Sequence, residues 1–180
     1  MKRRFALAAV AAAFVLPACG SSGSADRPFN DADVMFAQMM IPHHEQAVEM
    51  SDIALDPSVG AGPAVASLAQ AIKAAQDPEI EQMKTLLTGW GEPLVMDDGM
   101  DHGSMMGGML SPEELESLGA LNGAGFDAAW AKAMIAHHEG AIDMANDVLE
   151  DGKNTEIRAL ADAIISAQQR EIEELRPIAG

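Results

Sequence analysis

The chain has 180 residues, 48% of them hydrophobic and only 4% aromatic, with no tyrosine, and its formal charge is −17. It is long enough for one domain with tails, and an apolar stock of Ala, Leu, Ile and Met favours helices over strands. So acidic a surface repels nucleic acid and anionic lipid headgroups, and a single cysteine excludes an internal disulfide.

Residues 1–18 read as a lipoprotein signal peptide. Lys2, Arg3 and Arg4 precede an apolar run from Phe5 to Val15, and Leu16-Pro17-Ala18-Cys19 places small residues at a cut site. The run is shorter than the roughly 20 residues a membrane-spanning helix needs. The Leu-x-Ala-Cys ending resembles a bacterial lipobox, which implies that Cys19 becomes a lipidated N-terminus; ordinary cleavage leaving a free thiol is the alternative. Removing the three leading cations lowers the basic residues from 11 to 8 against 28 acidic ones, a net −20. Residues 19–29, rich in Ser and Gly, read as a flexible tether. The expected location is therefore outside the cytoplasm, with a lipid anchor holding the protein to the outer face of the cytoplasmic membrane in a bacterial cell envelope.

Residues 30–177 read as one duplicated domain: a first hairpin over 31–89, a Met-rich loop and short helix over 90–122, and a second hairpin over 125–176. Asp33 to Met50 aligns with Asp127 to Met144 at an offset of 94, with Asp33, Ala37, Met40, Ile41, His43, His44, Glu45, Ala47 and Met50 recurring identically. Leu68 to Glu81 aligns with Leu160 to Glu173 at an offset of 92, so the second hairpin loop is two residues shorter. The first helix is expected from near Asp31 to Leu55, the second from about Pro63 to Thr88 with a bend at Pro78 and an end at Gly89 and Gly91. Ser111-Pro112-Glu113-Glu114 is a capping box that starts a short helix to about Leu121. The last two helices are expected over about Gly125 to Asp151, stopped by Gly152, and Asn154 to Leu175, stopped by Pro177. The fold class is all-α: a ferritin-like four-helix bundle built from two repeated hairpins, with a Met-rich central loop.

A helical wheel puts His43 in the middle of the first helix's apolar stripe, His44 about 100° away on its flank, and Glu45 towards water. His137, His138 and Glu139 repeat this. Adjacent histidines cannot easily share one ion from one helix, but Met40 stands at i+3 and i+4 spacing from His43 and His44, as does Met134 from His137 and His138. Each motif thus offers a Met-His pair that can face its copy across the bundle. Glu79, Gln76, Glu171 and Gln168 fall near the apolar stripes of the other two helices, where unpaired polar groups are costly. The two carboxylates are natural partners for the two central histidines, either orienting the imidazoles or ligating with them. The bland alternative is a buried His-Glu hydrogen-bond network without metal, with Met50 and Met144 as packing.

Residues 96–109 hold Met96, Met100, Met105, Met106 and Met109 with His102, among Gly, Ser and three aspartates. A loop with no core to fill rarely spends five oxidisable methionines. Thioethers select Cu(I), whereas Asp97, Asp98 and Asp101 offer only a weak hard-ligand option. The alternative here is a packing lid over the bundle end. There is no zinc-type Cys/His spacing and no EF-hand pattern.

Met40-Ile41-x-His43-His44-Glu45, its repeat at Met134 to Glu139, the Ala-Gln-x-x-Glu-Ile segments and Leu86-Leu87-Thr88-Gly89-Trp90-Gly91 resemble the domain-of-unknown-function 305 family over roughly residues 30 to 176. The resemblance implies an exported ferritin-like bundle linked to copper binding and resistance. It carries ligand roles to Met40, His43, His44, Met50, Met134, His137, His138, Met144 and the 96–109 loop. Pro42, where the second copy has Ala136, predicts two unequal sites. The expected function is a copper buffer or carrier, with Cu(I) the leading metal, another transition metal open, and a copper-delivery protein as a further partner. No nucleophile–base constellation supports hydrolysis, so no enzyme activity is expected. The alternatives are a ferritin-like di-metal redox enzyme, whose Glu-x-x-His motifs this chain lacks, and a structural or partner-binding bundle whose histidines sense pH.

Overall fold

A computed structural model describes residues 27–96 and 106–180. The signal peptide, Cys19, most of the tether, and Met100, His102 and Met105 lie outside the described residues. The helices are α1 (Asp31–Leu55), α2 (Pro63–Trp90), α3 (Pro112–Gly119), α4 (Gly123–Asp151) and α5 (Thr155–Ala179).

Local sequence sets most of the ends. Asn30 and Asp33 form a capping box at the start of α1, and Ser111 and Glu114 form the expected one at α3. The Asn154 side chain accepts from the backbone of Glu156 and Ile157 and so starts α5. Gly91, one of the two glycines expected to end α2, caps it at φ 74°, so the helix runs to Trp90, two residues beyond Thr88. One expectation fails: α5 runs through Pro177 to Ala179. A proline removes one backbone donor, and in the last turn packing outweighs that loss, because Leu175, Ile178 and Ala179 pack into the apolar core. Pro42 and Pro78 likewise sit inside continuous helices.

Helix α1 packs on α2, α4 on α5, and α1 on α4 across the middle, while α2 and α5 touch only lightly. The start of α1 meets the end of α4: the buried Asp33 carboxylate accepts from the backbone N–H groups of Lys153 and Asn154 at 3.0–3.1 Å. The start of α4 meets the turn of the first hairpin: Asp127 accepts from Gly62 N–H at 3.0 and 3.2 Å. The two helices are therefore antiparallel, and each aspartate ties down the other hairpin's turn.

The core is split in two. One apolar cluster gathers Phe36, Met40, Met83, Leu87, Met144, Ile157 and Ile164. The other gathers Met50, Val65, Ile72, Trp130, Met134 and Leu175. On every long helix the residues that separate the two clusters are polar and buried: His43 and His44 on α1, Gln76 on α2, His137 and His138 on α4, and Gln168 on α5. A polar layer thus crosses the waist of the bundle.

Candidate metal centre

The four histidines of the waist are each fully buried. The rings of His43 and His137 meet across the α1–α4 contact with centroids 3.8 Å apart and planes tilted by 40°. The flanking histidines turn towards the second helix of their own hairpin. His44 Nε2 donates to Glu79 Oε2 at 2.9 Å. His138 Nε2 lies 2.7 Å from Glu171 Oε2, off the line of a good hydrogen bond. This corrects the expected pairing: Glu79 and Glu171 serve the flanking histidines, because the central ones point between the hairpins, away from α2 and α5. Glu45 faces water and binds Lys84 at 3.0 Å, and Glu139 is also exposed.

Hydrogen-bond chemistry fixes the protons on two rings. A carbonyl only accepts, so His43 Nε2, 3.1 Å from Gly107 O, carries the proton and Nδ1 keeps a lone pair. The bond from His44 to the Glu79 carboxylate does the same for His44 Nδ1. A metal-binding histidine commonly donates its other N–H to a carboxylate or backbone carbonyl in this way. Burial pushes His43 down to about 4, with the Gly107 carbonyl pulling the other way and the neighbouring imidazoles adding to the drop. Burial, then repulsion from His43, His138 and His44, holds His137 well below the usual histidine range. Both rings are neutral at pH 7, the form that ligates a metal.

Six imidazole nitrogens lack a protein hydrogen-bond partner: Nδ1 of His43 and His44, and both nitrogens of His137 and His138. Gln76 Nε2 and Oε1 and Gln168 Oε1 share that condition in the same layer. The donor set is nitrogen and carbonyl oxygen, with the sulfurs of buried Met40 and Met134 one turn away, which suits copper better than Mg or Ca. Among the described residues, no three His, Cys, Asp or Glu side chains stand ready-made as a metal cage. An ion would therefore have to be met by rotation of the imidazoles.

The other expected ligands are dispersed. Met40 belongs to one apolar cluster and Met134 to the other. Met50 is packed in the second cluster, where its backbone carbonyl accepts from Trp130 Nε1 at 2.9 Å. Met96 and Met106 pack against the first cluster, and Met109 lines a groove with Gln46 and Leu115. The expectation that the loop has no core to fill fails at both its ends.

Several residues that shape the site carry no obvious metal chemistry. Gln38 donates to Pro93 O at 2.7 Å, and Gln46 exchanges two hydrogen bonds of 2.8 Å with the backbone of Leu110. Both ends of the Met-rich segment are thereby tied to α1. Between them Gly107 presses on Gly140, and a Cβ at Gly140 would collide with the Gly107 carbonyl. Gly108, at φ 78°, lies as tightly on Ala136 and His137. Gly140 aligns with Gln46 in the repeat, and that break in the repeat was the readable signal for the contact.

A waist of paired histidines in a duplicated α-hairpin bundle defines the class of protein. The chain belongs to the family described as Domain of unknown function (DUF305), which matches residues 33–179. A crystal structure of a DUF305 protein from Streptomyces coelicolor, described as secreted, is 32% identical with a TM-score of 0.74, covering 80% of this chain and 89% of that one. A DUF305 fragment from Deinococcus radiodurans is 31% identical at a TM-score of 0.75, covering 86% and 99%. CopM in its Cu(II)-bound form is 31% identical at a TM-score of 0.68, covering 82% and 95%; Cu(I)-bound and Ag-bound forms of CopM also match. No curated protein matches the chain.

Proposed function

We propose that this protein is an exported copper-binding protein, a buffer or carrier anchored through lipidated Cys19 at the outer face of the cytoplasmic membrane, rather than an enzyme. The observation that carries the metal reading is the waist. Buried imidazole nitrogens without a protein partner, Nδ1 of His43, His44 and His138 among them, would each leave about 1–3 kcal/mol of desolvation unrepaid, and a bound ion offsets that. His43 and His44 carry the strongest support, since Gly107 and Glu79 hold their N–H groups and leave Nδ1 free. Copper is favoured over zinc by nearby thioether sulfur and by the metal forms in which CopM has been solved. Export is favoured by the signal-like N-terminus and by the relative described as secreted.

The test is a copper titration of the protein and of a His43→Ala/His137→Ala variant, with helix content followed by circular dichroism. The variant is expected to lose at least one equivalent of copper and keep its helices. Equal copper uptake by both proteins would make the waist a hydrogen-bond network only.

A further inference from the structure

Beyond the waist, the first apolar cluster opens to solvent along one seam. Between α1 and α4 runs a groove of about 390 Å³ lined by Met35, Phe36, Met39, Met144 and Val148, with Asp147 and Asp151 at its rim. Three methionines line it. Met35 is 43% exposed, whereas Met39 and Met144 form the floor at 6% and 7%.

The repeat provides the internal control. At the positions equivalent to Met35 and Met39 the second copy has Ala129 and Ala133, which pack against the other half of the core. The hairpin therefore does not require methionine on this face. An exposed methionine also contributes less burial than a core one and adds an oxidisable sulfur. Met35, Met39 and His43 stand at i, i+4 and i+8, one row on α1 rising about 6 Å per step. Exposure falls along that row from 43% to 6% to zero.

We infer that this groove is a thioether docking site for a soft monovalent cation, Cu(I) or Ag(I), and that the Met35–Met39–His43 row is the route from solvent to the waist. Three thioethers are a soft donor set that passes over Zn, Mg and Ca. The carboxylates of Asp147 and Asp151 raise the local concentration of cations without competing as soft ligands. The docking site stands on the groove alone; the route rests on the copper reading of the histidines.

The probe is Ag(I), added to protein carrying ¹³C-labelled methionine methyl groups. One equivalent is expected to shift the methyls of Met35, Met39 and Met144, in the protein and equally in the His43→Ala/His137→Ala variant. Met35→Leu/Met39→Leu, which preserves volume, is expected to lower Ag(I) affinity at the groove about tenfold. It should slow Cu(I) transfer to the waist by a similar factor while leaving the final copper content of the waist unchanged. Unmoved groove methyls, or an unchanged Ag(I) affinity in the leucine variant, overturn the docking site. Shifted methyls with an unchanged transfer rate overturn the route. Failure of the histidine variant to lose copper would instead sink the copper reading and leave the groove result standing.

Discussion

The two halves of this bundle share a pattern and differ in what they do with the returning loop. In the first, Gln46 reaches out and exchanges two hydrogen bonds with Leu110. In the second, the equivalent residue is Gly140, which lets Gly107 come into backbone contact. One copy holds the loop by a polar side chain and the other by having no side chain at all. Between the two, the Gly107 carbonyl is pinned over His43. Duplication built two similar histidine pairs, and divergence at one position let the returning loop set its carbonyl on only one central histidine.

Exchanging these residues breaks the comparison most sharply. Gly140→Gln puts the first copy's side chain where Gly107 sits, so the loop must lift or the helix shift. A loss of about 3 kcal/mol in urea unfolding is expected, with faster amide exchange over 106–110. Gln46→Gly is expected to be milder, at about 2 kcal/mol, from two lost hydrogen bonds and a helix-interior glycine. Equal and small effects would show that the two ends of the clamp are not coupled to the fold.

Acid sharpens the same difference. His43 is held near 4 in the folded protein against 6.5 ordinarily, so the unfolded chain binds more protons between those values. Stability present above pH 6.5 is lost as pH falls towards about 4, by about 3 kcal/mol from this one group in metal-free protein. The Gly107 carbonyl favours protonation of His43, whereas His137 lies among the imidazoles of His43, His138 and His44, so His43 should titrate first. Ring NMR titration checks the order, and the reverse order would remove Gly107 from the account.

The aspartate clamps give a smaller contrast. Asp33 is fully buried and holds two backbone donors of the second hairpin's turn, whereas Asp127 is partly exposed and holds one. Asp33→Ala is expected to cost about 2 kcal/mol and Asp127→Ala about 1 kcal/mol. Denaturant midpoints measured side by side decide it, and equal losses would mean that burial adds nothing.

The sequence was most legible where it was periodic or repeated. The repeat and the apolar stripes placed the helices, and the recurrence of His43-His44 at His137-His138 placed the waist. Asp33 and Asp127 recur as plainly, but nothing local says that each reaches across to the other hairpin's turn. The wheel set His43 on the inner face and let it face its copy, where His137 lies, but it did not say which histidine of the pair reaches α2. It therefore gave Glu79 to the wrong histidine of the pair, because angle on one helix says nothing about the neighbour at that height. Pro177 misled for a similar reason: a local breaker yields when Ala179 has a core to enter. Met35 and Met39 drew no notice because their meaning lies in Met144, on a helix more than 100 residues away.

The crossed aspartates have a consequence for how the molecule is put together. Asp33 closes the turn before α5, and Asp127 closes the turn before α2. Neither hairpin secures its own bend; each borrows the carboxylate of the other. The chain therefore has the internal pseudo-twofold symmetry of a dimer whose subunits exchange the same contact, fused into one polypeptide. The histidine layer lies at that dimer-like seam, so whatever loosens one hairpin is felt at once by the rings of both.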